Sequence, residues 1–194
     1  HGTYCPEIND SVFRSLAVGD RFDVEGIPFA TPQHGKNIAF VSLWDNYPSA
    51  LTIPVKAQKA SVAHILLAGS TNHMQTHMDN AIIIANYKDG TSDTLHLIPP
   101  FNYCPIEQDF YVDGKAFQTV EPRPVRICLA TGTVSRNLGT ALSINSDEVY
   151  GREIPGGAAQ LLSMPLSPSK KLHSFTLIPL SNDIVVGIMG ITLR

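Results

Sequence analysis

The string VSLWDNYP at residues 41–48 holds the only tryptophan of the 194-residue chain. Trp44 and Tyr47 flank Asp45 and Asn46. Aromatic faces stack on the C–H faces of sugar rings, while carboxylates and amides fix the hydroxyls in plane. Small-ligand sites combine apolar lining with a few polar groups in this way. A second string, FNYCPIEQD at 101–109, brings Asn102, Tyr103 and Glu107 close in sequence. Trp44, Asp45, Asn46, Tyr47, Asn102, Tyr103 and Glu107 are therefore the ligand-binding candidates. The competing reading is structural, because Trp and Tyr bury large areas and pin irregular segments through one polar handle.

Catalytic chemistry has fewer footholds. Glu107 paired with Asp45 or Asp109 could hydrolyse a glycoside if two carboxyls faced each other across a cleft. The structural reading of these groups is solvated loop carboxylates or caps on nearby N–H groups. No G-x-S-x-G elbow is present; Ala68-Gly69-Ser70-Thr71 does not supply one. His73 and His77 share a spacing of four, which would put two imidazoles on one helical face. Their segment lies between two expected strands and lacks the metalloprotease Glu. Gly156-Gly157 is followed by no Lys-Ser/Thr, so it reads as a turn and not a phosphate cradle. No catalytic residue and no metal ligand is assigned. Cys5, Cys104 and Cys128 form an odd set without zinc spacing, expected to be free and buried.

Composition narrows the partners. Apolar residues are 43% of the chain and charged residues 16%, with a net charge of −3. Nothing there predicts an electrostatic hold on nucleic acid, and no apolar run approaches the length that spans a bilayer. The chain opens at His1 without a signal-type apolar run, as expected of a processed protein or an excised domain.

The elements that must position these residues are short. Fourteen Gly and fourteen Pro interrupt β-branched runs. Strands are expected at Ile38–Leu43, Ala50–Val55, Ala63–Ala68, Ala81–Lys88, Thr91–Leu97, Val125–Leu129, Leu172–Pro179 and Ile184–Leu193. Asp89-Gly90 predicts a two-residue hairpin turn. Ile82-Ile83-Ile84 is apolar on both faces, so its strand should be internal to a sheet. Helices are expected only at Asp10–Leu16, with Asp10 as cap, and at Gly157–Ser163. The architecture that fits is an all-β, antiparallel two-sheet sandwich of jelly-roll type. An N-terminal extension or linker, 1–25, would precede a sandwich domain at 26–194.

Several stretches carry a resemblance. GIPF at 26–29, IPV at 53–55, HILLAGST at 64–71, IIIANYKDGTSDTLHL at 82–97 and LHSFTLIPLSNDIVVGIMGITL at 172–193 resemble the galactose-binding-like β-sandwich domains attached to glycoside hydrolases. SLWDNYP, AGSTNHMQ and FNYCPIEQD look like the uncharacterised DUF4450 family of Bacteroides-type gut bacteria. The resemblance implies a non-catalytic ancillary domain of a polysaccharide-degrading protein, exported to the periplasm or cell surface. Its partner would be a carbohydrate or a neighbouring catalytic domain of the same chain. Ligands in that fold usually sit among loops at one end of the sandwich, and a structural calcium is frequent. This sequence lacks an EF-hand-type ligand string. A shared fold does not itself supply a site.

Overall fold

The computed structural model describes residues 8–72, 75–109, 121–144 and 153–194. The described residues form an all-β sandwich with two short helices, α1 (Ser11–Ser15) and α2 (Leu138–Ala141). A hairpin of β1 (Arg21–Val24) and β2 (Ile27–Ala30) precedes the two main sheets. One sheet has the order β3 (Ala39–Ser42), β12 (Val185–Leu193), β5 (Val62–Ser70), β10 (Ala158–Pro165), β8 (Val125–Cys128), β9 (Val134–Ser135). The other runs β4 (Leu51–Gln58), β11 (Leu172–Pro179), β6 (Ala81–Tyr87), β7 (Ser92–Leu97). All pairings are antiparallel. From β3 to β6, and again from β10 to β12, each consecutive strand crosses to the opposite sheet, the habit of a jelly roll.

All eight expected strands are present, and β6 is internal, between β11 and β7. Its alternation is strict: Ala81, Ile83, Ala85 and Tyr87 point into the inter-sheet core, Ile82, Ile84 and Asn86 outward. The same core takes Ile65 and Leu67 from β5, Phe175 and Leu177 from β11, and Val186 and Ile188 from β12.

The hairpin turn differs from the sequence expectation. Tyr87 N donates to Thr91 O and Gly90 N to Tyr87 O, so three residues, 88–90, form the loop. Only Gly90 takes positive φ, +84°. That is the pattern of a three-residue hairpin loop ending in a left-handed glycine. The Asp89 carboxylate selects it by accepting from Thr91 N at 3.0 Å.

Three further expectations are corrected. Gly157–Ser163 is not helical: Ala158–Pro165 is β10, buried on both sides. Gly156 and Gly157 form the expected turn, at φ +74° and +82°. Beyond it Gln160, Leu162 and Met164 face one way and Ala159 and Leu161 the other. A strand covered on both faces loses the polar alternation that betrays strands. The boundary expected between 25 and 26 falls in the turn of the β1–β2 hairpin, where Arg21 pairs with Ala30. Phe13, Phe22, Val24, Ile27 and Phe29 pack with Leu66, Ala68, Ile127 and Leu161 on the outer face of the six-stranded sheet. The described part of 1–25 is thus a third layer and not a linker. Helix α1 does start after Asp10, but the Asp10 carboxylate pairs with Arg14 Nε at 2.8 Å and caps no backbone N–H.

Four strands cannot cover six. The inner face of β10 and β8 extends beyond the smaller sheet, and the segment 99–109 closes over it.

Candidate functional site

The two nominated strings leave the same end of the sandwich. Ser42 at the end of β3, Val185 at the start of β12 and Ser70 at the end of β5 are in register, and Ile106 N donates to Gly69 O at 2.7 Å. From there they diverge. Residues 43–48 hang from β3, an edge strand. Residues 101–109 lie across β10 and β8. Three strand spacings, about 14 Å, separate β3 from β10.

The first string is a tight, externally braced loop. Ser42 N donates to Pro48 O at 3.1 Å, and Tyr47 N to Trp44 O at 3.0 Å. The Ser42 hydroxyl donates to Ile184 O at 2.6 Å and accepts from Trp44 N at 3.2 Å. Pro48 keeps Tyr47 out of the helical region, so the chain turns and does not coil. Trp44 remains 40% exposed, with Asp45 and Asn46 exposed beside it and Tyr47 half-buried. Neither Asp45 nor Asn46 spends its side chain on a hydrogen bond to a described residue. The loop holds an aromatic face and two unspent polar groups on a fixed backbone.

The second string is structural. Asn102 Oδ1 accepts from Ile98 N at 2.8 Å and its Nδ2 donates to His96 O at 2.7 Å, which fixes the turn after β7. Tyr103 is 1% exposed and its hydroxyl donates to Ser70 O at 3.1 Å. It needs the bare backbone of Gly69: a Cβ there would stand 2.5 Å from both the Tyr103 hydroxyl and Val185 O. Tyr103 therefore cannot offer a ring to a sugar. Gln160 reads the backbone on either side, taking Cys104 N on its Oε1 at 3.0 Å and donating to Asn102 O at 2.6 Å.

Arg126, fully buried on β8, organises the rest. Its guanidinium donates to Pro105 O at 2.8 Å, to Ala158 O at 3.3 Å, to Gln108 O, and to Cys104 Sγ at 3.0 Å. Asp109 lies 3.7 Å from it and accepts Gly139 N at 2.6 Å, tying α2 to the cluster. Burial pushes the Cys104 thiol up to about 12, which keeps it protonated. Glu107 is 8% exposed, and its Oε2 has no hydrogen-bond partner among the described residues. Burial lifts its carboxyl to about 7; Arg126 opposes the rise and Glu153 adds to it. Glu107 and Asp109 are thus enclosed beside a buried cation, and Asp45 stands on the loop of β3, an edge strand three places from β10 in the same sheet. The fold does not bring Glu107 and Asp45 together as a pair.

The other candidates resolve as follows. His64 Nδ1 and Ser163 Oγ lie 2.9 Å apart, with the imidazole held below its ordinary value by burial and by Arg194. No described carboxylate completes a triad there. His73 lies outside the described residues, and His77 N donates to Pro99 O at 2.7 Å. Among the described residues no group of three His, Cys, Asp or Glu is placed to hold a metal ion. Cys104 and Cys128 are free and buried; Cys5 lies outside the described residues. A groove of about 460 Å³ is lined by Phe101, Pro122, Val125 and Leu161 among others; Asn102 is the only nominated residue that lines it. No helix among the described residues is long and apolar enough to cross a membrane.

Arg126 is the residue that sequence reasoning missed. Its signal was present: a single arginine inside PVRICL, a strand otherwise without polar side chains. Comparison with family models, with curated proteins and with solved structures finds no match.

Proposed function

We propose that this chain is a non-catalytic ancillary β-sandwich of a polysaccharide-degrading protein, exported from the cytoplasm, that binds carbohydrate through the loop 43–48. The observation that carries the reading is Trp44: a tryptophan 40% exposed on a braced loop, with exposed Asp45 and Asn46 beside it. Stacking needs an open ring face, and orientation of hydroxyls needs in-plane acceptors and donors within reach. Of the seven nominated residues, Trp44, Asp45, Asn46 and Tyr47 carry the proposal; Asn102, Tyr103 and Glu107 do not. A glycoside-cleaving enzyme would instead need two carboxyls about 5–10 Å apart across a water-filled cleft, and burial of Glu107 and Asp109 beside Arg126 weighs against that.

Tryptophan emission titrated with a panel of plant and host oligosaccharides tests the proposal. One glycan class should shift or quench the emission, and Trp44→Ala should abolish its binding by calorimetry while the circular dichroism stays unchanged. Silence across the panel would overturn carbohydrate binding at this loop and leave bracing of a neighbouring catalytic domain as the role.

A further inference from the structure

The end of the sandwich that carries Trp44 is built without Lys or Arg. Besides 43–50, the described segments that reach it are 71–72, 75–80, 98–102 and 180–184, as the strand registers require. Their only Asp, Glu, Lys or Arg residues are Asp45, Asp79 and Asp183. Asp79 lies 3.0 Å from the His96 imidazole. Asp45 and Asp183 are exposed, and neither forms an ion pair with a described residue. Asp183 belongs with the Trp44 loop. The Ser42 hydroxyl donates to Ile184 O at 2.6 Å and accepts from Trp44 N at 3.2 Å, so one oxygen joins the residue after Asp183 to the residue before Asp45. Cations gather at the other end of the strands: Lys56 late in β4, Lys88 after β6, Lys170 before β11 and Arg194 after β12.

Resting on the carbohydrate reading of loop 43–48, we propose that the Trp44 site takes glycans without anionic groups, neutral sugars and free amino sugars, and that Asp45 and Asp183 are the specificity-determining residues that turn uronates and sulfated sugars away. A carboxylate or sulfate is ordinarily held by charge-assisted bonds from Arg or Lys, and these segments supply neither. Two carboxylates suit the opposite kind of ligand edge. Sugar hydroxyls donate to carboxylate oxygens. An ammonium is drawn both to the carboxylates and to the indole face, the best of the aromatic partners for a cation. Like charge sets the size of the discrimination. An anion about 6 Å from one carboxylate in water loses roughly threefold in affinity, and two carboxylates together roughly tenfold. The Debye length at physiological salt is about 8 Å, so the effect reaches a ligand on the ring and little further. Repulsion of this kind selects partners more than it strengthens binding.

Trp44 is the only tryptophan, so its emission reads this end alone. Collisional quenching by iodide and by caesium at fixed ionic strength, each normalised to N-acetyltryptophanamide, compares an anion and a cation at the same ring. Caesium should be favoured over iodide by about threefold or more. Asp45→Asn combined with Asp183→Asn should return the ratio to that of the free indole; Asn accepts left-handed φ, so the turn at Asp183, φ +57°, is kept. The glycan panel then includes pairs that differ only in charge: oligogalacturonate with its methyl ester, and chitosan oligomers with their N-acetylated forms. Binding that Trp44→Ala abolishes should be confined to the neutral and amino members, and the double Asp variant should admit the acid. Equal quenching by the two ions, or Trp44-dependent binding of an acid as tight as its ester, overturns this inference and leaves carbohydrate binding in place. Ions that discriminate with every glycan silent overturn the carbohydrate reading, and the ligand class with it.

Discussion

Residues 43–48 and 101–109 are built from the same chemistry, an aromatic pair with a carboxylate and an amide, and they begin at the same end of the sandwich. One keeps its side chains in solvent and the other buries them. The difference lies in what each segment has beneath it. The 43–48 loop leaves β3, an edge strand, and closes on itself through Ser42 and Pro48. The 101–109 segment runs over the part of β10 and β8 that the smaller sheet leaves open, and there Arg126 and Gln160 collect its carbonyls and N–H groups. Composition alone does not decide whether an aromatic loop recognises or braces. The unsatisfied surface beneath it does.

The sharpest way to break this contrast is to remove its cause. Arg126→Met should destabilise the protein by about 3–5 kcal/mol in urea denaturation, because Asp109 and the carbonyls of 105 and 108 stay buried without their cation. A cost near zero would mean that 101–109 is held by other contacts. Ile83→Ala, on the inner face of β6, provides a yardstick: roughly 2–5 kcal/mol for a cavity in the core, with Thr91→Ala, exposed just after the hairpin loop, costing far less. Equal small effects at both would remove β6 from the core.

A subtler effect follows from Glu107. Its folded carboxyl titrates at about 7, above the 4.5 of an exposed glutamate. Between those values the folded chain holds a proton that the unfolded chain releases. Stability is therefore greatest at the acid side of the window and falls as pH rises through it, by up to about 3 kcal/mol. Glu107→Gln should flatten the dependence of Tm on pH between about 5 and 7.5, leaving the melt elsewhere in place. A slope unchanged by this substitution would assign the pH dependence to another group. The smallest expected effect marks the other loop. Trp44→Ala should move stability by no more than about 0.5 kcal/mol, and a larger loss would make Trp44 an anchor after all.

The sequence exposes some of this and hides the rest for physical reasons. Strands with one wet face announced themselves, and so did the turn of residues 44–47, because Pro48 acts locally. Strand β10 was hidden because burial on both faces erases its alternation and, unlike the equally buried β5 and β8, AAQLLSMP has no β-branched residue to mark it. The β1–β2 hairpin did alternate, and its Glu25-Gly26 turn, at φ +50° and +76°, was a readable signal. The fates of Tyr103 and Glu107 were not readable within 101–109. They depend on Gly69, Arg126 and Gln160, residues on three different strands. Arginine inside an apolar strand could have warned that a buried acceptor lay nearby, though not which segment would supply it.

Strand order has a consequence for synthesis. The neighbours of β5 are β10 and β12, and β10 begins about 90 residues after β5 ends. At the ribosome's pace of about 5–20 residues per second, β5 waits between roughly 4 and 20 s for its first neighbour and longer for its second. During that interval HILLAG presents two open edges, an aggregation hazard for a nascent chain. Refolding of the finished chain should likewise be governed by closure of distant pairings, on the millisecond-to-second scale of high-contact-order β proteins.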